Sequence, residues 1–142
     1  MIDTRTAPYA ALVLRLALGV MFIAHSLLKI LVFTLPGTVA FFQSVGLPGF
    51  LAYLTAFAEI AGGVALIAGL QVRWVAAALI PVLLGATWVH AGNGWLFTSA
   101  NGGWEYPAFL SVAAVVQVLL GAGAFALTSK RAPATGSRLQ AA

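Results

Sequence analysis

Four long apolar stretches separated by short loops limit what this chain can fold into more than any other feature. A helix needs about 20 mainly apolar residues to cross ~30 Å of hydrocarbon. Residues 8–33, 50–70, 74–91 and 106–127 each supply such a run. Composition agrees, with 62% hydrophobic and 7% charged residues and a mean hydropathy of +1.03, outside the range of soluble globular chains. The expected fold is all-α: an integral membrane four-helix bundle over residues 1–128, followed by a disordered basic cytoplasmic tail at 129–142.

The connections refine this picture. Pro36-Gly37 and Pro48-Gly49 are turn signals around a short apolar run ending at Val45, expected to lie in or re-enter the outer interface. Gln71-Val72-Arg73 leaves room only for a tight hairpin. Arg5, Arg73, Lys130, Arg131 and Arg138 all fall on one side of a four-span topology, and the opposite loops carry neither Lys nor Arg. The positive-inside rule then places both termini in the cytoplasm. Trp95, Trp104, Tyr106 and Tyr53 are expected at the outer interface, and Tyr9 and Trp74 at the inner one, where amphipathic rings concentrate. The N-terminus carries Asp3 and Arg5, and Arg15 interrupts its apolar run, so it reads as retained and not as a cleaved signal peptide.

Several function classes are excluded or disfavoured. The chain has no cysteine, hence no thiolate nucleophile, disulfide relay or Cys-ligated iron–sulfur cluster of its own. Its net charge of +4 comes from scattered basic residues without aromatic interleaving, so nucleic acid is not an expected partner. Walker, Rossmann, catalytic-triad and c-type haem motifs are absent, and Gly121-Ala122-Gly123 reads as helix packing.

Small residues at four-residue spacing flank a polar residue or proline on every span: Ala11, Arg15, Gly19; Thr55, Glu59, Gly63; Ala77, Pro81, Gly85; Ala113, Gln117, Gly121. Such stripes allow close helix contact in lipid, where packing replaces the hydrophobic effect as the driving force. They serve either packing within one bundle or a homo-oligomer.

Ionisable groups inside a bilayer cost at least ~2.5–3.5 kcal/mol each at a helix centre, so each calls for a partner or a function. At ~1.5 Å rise per residue, Arg15 and Glu59 both fall near the midplane and are expected to meet. Glu59 is then either half of a structural ion pair or a proton-transfer group contacting a lipid-soluble substrate. Arg15, Gly19, Phe22, Ser26 and Lys29 align on one face of the first helix, with His25 to one side and an i, i+4 neighbour of Lys29. His90 reaches a similar depth on the third span. Two histidines without a third ligand do not make a metal site, and no metal is predicted. Glu105 opens the fourth helix, where the helix dipole favours a carboxylate whatever its function. Alternatively, Glu105 closes an outward pocket with His25, Lys29 and His90, floored by Glu59 and lidded by Trp95 and Trp104. Such a pocket suits a quinone headgroup, with His or Lys bonding its oxygens and Glu or His exchanging protons.

RLALGVMFIAHSLLKI, FFQSVGLP, AEIAGGVALIAGL and NGGWEYP, in this order, resemble the DoxX family of small prokaryotic membrane proteins. The match falls at Arg15, Gly19, His25, Lys29, Glu59 and Glu105, with Ser26 where glycine is expected. The resemblance implies a four-helix protein of the prokaryotic inner membrane and a subunit linked to thiosulfate:quinone oxidoreduction or to redox and thiol homeostasis. The leading expectation is therefore a membrane subunit of a quinone-linked oxidoreductase system, with a redox protein or a soluble sulfur compound as electron donor. Glu59, His25 and Lys29 would carry its chemistry, and Arg15, His90, Glu105 and Trp104 would bind its quinone. The alternative is a non-catalytic anchor, scaffold or assembly factor; a transporter is a third reading.

Overall fold

The computed structural model describes residues 3–128. The tail expected at 129–142 lies outside the described residues. Five α-helices follow one another: α1 (Ala7–Leu27), α2 (Leu35–Ser44), α3 (Phe50–Ala68), α4 (Val72–His90) and α5 (Glu105–Leu120). A π-helical turn, Leu28–Val32, prolongs α1. α1 packs along α3 and α4 along α5, each pair antiparallel, and α3–α4 and α5–α1 contacts close the ring. α2 is short and lies across the end of α3 beside the π-turn.

Local chemistry sets these boundaries. Pro8 sits in the first turn of α1, where its missing N–H is no loss. The chain breaks at Thr34, whose φ of 61° no helix accepts, and the Thr34 hydroxyl caps α2 by accepting from the Gly37 amide at 3.2 Å. α3 stops at Gly69 in the left-handed conformation (φ 74°). An added Cβ there would collide with the Arg15 guanidinium and with Ala126, so both the backbone angle and the space demand glycine.

The partition of residues is that of a protein dissolved in lipid. Leu18, Phe22, Leu66, Val72, Ala76, Leu79 and Leu83 form the core, together with Ala113 and Ala114. Beside them Arg15, Ser26, Thr38, Glu59, Ser111 and Gln117 are also buried. The outer surface carries Leu31, Phe57, Phe109 and Leu119, each strongly exposed. Water would not tolerate that surface, whereas hydrocarbon does. The π-extended α1, α3 and α4 with its short 3₁₀ extension are long and apolar enough to cross a membrane; α5, at 16 residues, is shorter. The chain is a multi-pass helical membrane bundle.

The small-residue stripes divide. Ala11, Arg15 and Gly19 are buried, as are Glu59 and Gly63, and Ala113, Gln117 and Gly121. Pro81 and Gly85 on α4 instead face outward, so that stripe does not pack within the bundle. At the α1–α3 crossing, the position of a Cβ on Gly19 lies 2.8 Å from the Gly63 carbonyl oxygen, and that on Gly63 lies 2.8 Å from the Gly19 carbonyl oxygen. The two backbones touch.

The last helix departs from its expected extent. The fourth run was expected to remain helical to Leu127, but α5 ends at Leu120 because Gly121 (φ 82°, ψ −156°) and Gly123 (φ 69°) turn the chain. Gly121-Ala122-Gly123 is therefore a helix stop and not a helix-packing motif. Residues 121–128 then run as a strap beneath the bundle, with Ala124 N–H donating to Pro8 O, Leu127 N–H to Ala68 O and Thr128 N–H to Gly69 O.

Candidate functional site

The buried charges sort into two groups at opposite ends of the bundle. At the strap end, Arg15 is 1% exposed. Its Nη1 donates to Ala122 O at 3.1 Å and its Nη2 to Ala124 O at 3.3 Å. The expected contact with Glu59 is therefore not made. Arg15 has a long, flexible stem that carries its guanidinium toward the strap, and the carbonyls that α5 frees by ending early accept it. Gln117 Nε2 donates to the neighbouring Gly121 O at 2.7 Å.

Glu59 is paired instead with Lys29. Lys29 Nζ lies 2.5 Å from Oε1 and 2.6 Å from Oε2, with the Glu59 side chain 6% exposed and that of Lys29 21% exposed. Three local features hold this pair. Lys29 sits within the π-turn, whose Phe33 N–H to Leu28 O bond spans five residues where an α-turn spans four. The Thr38 hydroxyl of α2 shares its proton between Thr34 O at 2.9 Å and Lys29 O at 3.1 Å. Ser26 Oγ–H, fully buried, donates to Ala56 O at 2.8 Å, joining α1 to α3 one turn from the pair. Serine at this position thus adds a cross-helix bond.

His25 is half-buried nearby on α1. Its Nδ1 lies 2.8 Å from Met21 O; a carbonyl can only accept, so Nδ1 carries the proton of the neutral ring and Nε2 keeps its lone pair. The imidazole stacks on Tyr106 with centroids 5.4 Å apart and planes inclined by 23°, and the Tyr106 hydroxyl donates to Met21 Sδ at 3.7 Å. Tyr106 also borders a groove of about 520 Å³ with Trp95, Phe97, Glu105, Phe109 and Val112.

His90 ends α4 and Glu105 opens α5, so the two flank the loop between these helices. His90 Nδ1 lies 3.1 Å from Asn101 O, 3.2 Å from Gly102 O and 3.3 Å from Asn93 Nδ2, which donates to the same two carbonyls. Glu105 Oε1 accepts from Phe97 N–H at 2.9 Å. Trp95 and Trp104 meet edge to face at 4.5 Å. Gly103 has no room for a Cβ against the Trp95 and Leu96 carbonyls.

The geometry therefore joins Lys29 to Glu59 and His25 to Tyr106, while His25 and His90 occupy separate hydrogen-bond systems. Tyr106, expected only as an interfacial ring, is the side chain that links His25 to the groove; its place directly before Pro107 at a helix start gave no signal of that contact. Chemically, the half offers a buried Lys–Glu pair, an imidazole whose Nδ1 is held by a carbonyl, and an aromatic wall.

The DoxX family model matches residues 10–92. A protein of Bacillus subtilis (strain 168) named "Putative oxidoreductase CatD" is 41% identical over 75 residues, covering 53% of this chain and 54% of that protein. The chain thus spans about half the length of the curated relative it matches. No solved structure matches it. With residues 10–92 of its 142 accounted for by that model, and with Arg15, His25, Lys29 and Glu59 inside the matched region, the chain belongs to the DoxX family.

Proposed function

We propose that this protein is a membrane subunit of a quinone-linked oxidoreductase system in a prokaryotic inner membrane, with both termini cytoplasmic and the α4–α5 loop on the outer side. The observation that carries this reading is the close Lys29–Glu59 pair, two ionisable side chains inside an apolar bundle where such groups mark functional sites. The oxidoreductase name of the Bacillus relative points the same way. Reduction of a quinone by two electrons takes up two protons. Lys29 is a hydrogen-bond donor to a carbonyl oxygen, and Glu59 and the free Nε2 of His25 are groups able to hand protons on. Trp104, Glu105 and His90 shape the loop above, and Tyr106 offers a ring against which a planar headgroup can stack. Arg15, bound to the strap, is a structural residue in this scheme. Electrons come from a partner redox protein or a soluble sulfur compound.

The test is extraction of small molecules from protein purified in mild detergent. A quinone retained near one equivalent by the parent, and lost from a Glu59→Gln variant that still accumulates in the membrane, supports the reading. Parent protein carrying phospholipid alone overturns it.

A second reading, a non-catalytic anchor or assembly factor, is favoured by one observation: Arg15, His90 and Glu105 are all bound to main-chain groups of this same chain. Recovery of a partner protein in unchanged yield from Glu59→Gln membranes, with no quinone in either sample, selects it.

A further inference from the structure

The three carboxylates of the chain leave the strap end without a buried counter-charge. Glu59 is held by Lys29, and Glu105 opens α5 at the far end of the bundle. Asp3, at the surface, accepts from the Arg5 amide at 2.8 Å. Arg15 and Arg73 are thus both cationic with no carboxylate partner among the described residues.

Arg73 is exposed at the start of α4 and borders a notch of about 180 Å³ with Gln71, Val72, Trp74, Ala122 and Thr128. Its guanidinium lies against Gly121, where an added Cβ would come within 3.0 Å of Nε; the left-handed backbone of that glycine keeps the wall free of a side chain. Among the described residues its side chain donates no hydrogen bond, so its planar fork is available to a ligand. Ala122, which lines the notch, accepts from Arg15 through its carbonyl, so a second, buried positive charge lies behind the notch, and Arg15 Nε has no partner among the described residues. Trp74, 77% exposed, flanks the opening as an amphipathic ring does at headgroup depth.

We propose that this notch binds the phosphate group of an anionic phospholipid, gripped by Arg73 and favoured by the field of Arg15 behind it. A guanidinium pairs two parallel N–H groups with phosphate oxygens, a geometry ammonium lacks. The lipid must be anionic because a zwitterionic headgroup brings its own cation into a region already short of negative charge. The occupied notch supplies what the sequence does not: a counter-charge for two arginines at one membrane face.

The test is native mass spectrometry of the full chain from mild detergent containing equal phosphatidylglycerol and phosphatidylcholine. One phosphatidylglycerol is retained preferentially by the parent. Arg73→Gln lowers that retention by about fivefold, the share of one basic residue at a lipid surface. Arg5→Gln, an equal loss of charge outside the notch, leaves it unchanged. Equal loss in both variants would mean a diffuse surface field, and no loss in Arg73→Gln an empty notch; each overturns the proposal. Displacement of the lipid by millimolar inorganic phosphate would reassign the site to free anions. If Arg73→Gln fails to fold, Arg73→Lys keeps the charge without the fork; intermediate retention is then expected, and parental retention counts against the site.

Discussion

Lys29 Nζ stands 2.5 Å and 2.6 Å from the two oxygens of Glu59, so one ammonium serves both oxygens of a carboxylate carried on a different helix. The two partners are not equally enclosed: about a fifth of the Lys29 side chain is exposed, against a sixteenth of Glu59.

That inequality predicts an asymmetric response to mutation. Lys29→Met strands a buried carboxylate and should lower stability by about 3–5 kcal/mol. Glu59→Gln should cost less, because the released ammonium can reach the interface along its own stem. Combining Lys29→Met with Glu59→Leu should recover part of the loss, since no unpaired charge remains. Thermal unfolding in one detergent measures all three, and a Glu59→Gln loss exceeding that of Lys29→Met would refute the asymmetry.

Arg15→Met removes both donors to the strap. Hydrogen bonds from a charged group are worth ~1.5–3 kcal/mol, so amide exchange at Ala124, Leu127 and Thr128 should accelerate roughly tenfold or more. Exchange in the middle of α3 should hardly change. Uniform acceleration across the bundle would show that Arg15 supports the whole fold and not the strap in particular.

The backbone contact between Gly19 and Gly63 leaves no room for a methyl group. Gly19→Ala or Gly63→Ala should cost about 1–3 kcal/mol by forcing α1 from α3. Gly85→Ala, with open space around it, should be neutral or stabilising by up to ~1 kcal/mol through helix propensity alone. Unfolding midpoints of the three variants decide the matter.

Nitrogen-15 chemical shifts of neutral His25 should place the proton on Nδ1, because that atom faces the Met21 carbonyl. A His25 protonated on Nε2 would remove the lone pair that the proposed proton transfer requires.

The spans were readable because crossing hydrocarbon demands length and apolarity, both visible in a single sequence. The buried face of α1 was readable too: Arg15, Gly19, Phe22 and Ser26 share a line at helical spacing, and all four are buried. The partner of Glu59 was not. Equal depth along separate helices suggested Arg15, but depth of a Cα does not fix where a long side chain ends, and the choice turned on carbonyls released by Gly121. The π-turn that contains Lys29 has no residue signature in LKILV. His90 and Glu105 were identifiable as polar residues at a membrane end, yet their partners are main-chain groups of a loop whose path depends on Asn101 and Gly102 at positive φ, a local turn chemistry that periodicity does not register.

The strap also orders events in time. Arg15 finds its acceptors 107 and 109 residues further along the chain, so α1 leaves the ribosome long before the carbonyls that receive its guanidinium exist. The two hydrogen bonds that tie Arg15 to the strap can therefore form only after Ala122 and Ala124 have been synthesised, and a chain cut before Gly121 lacks both acceptors.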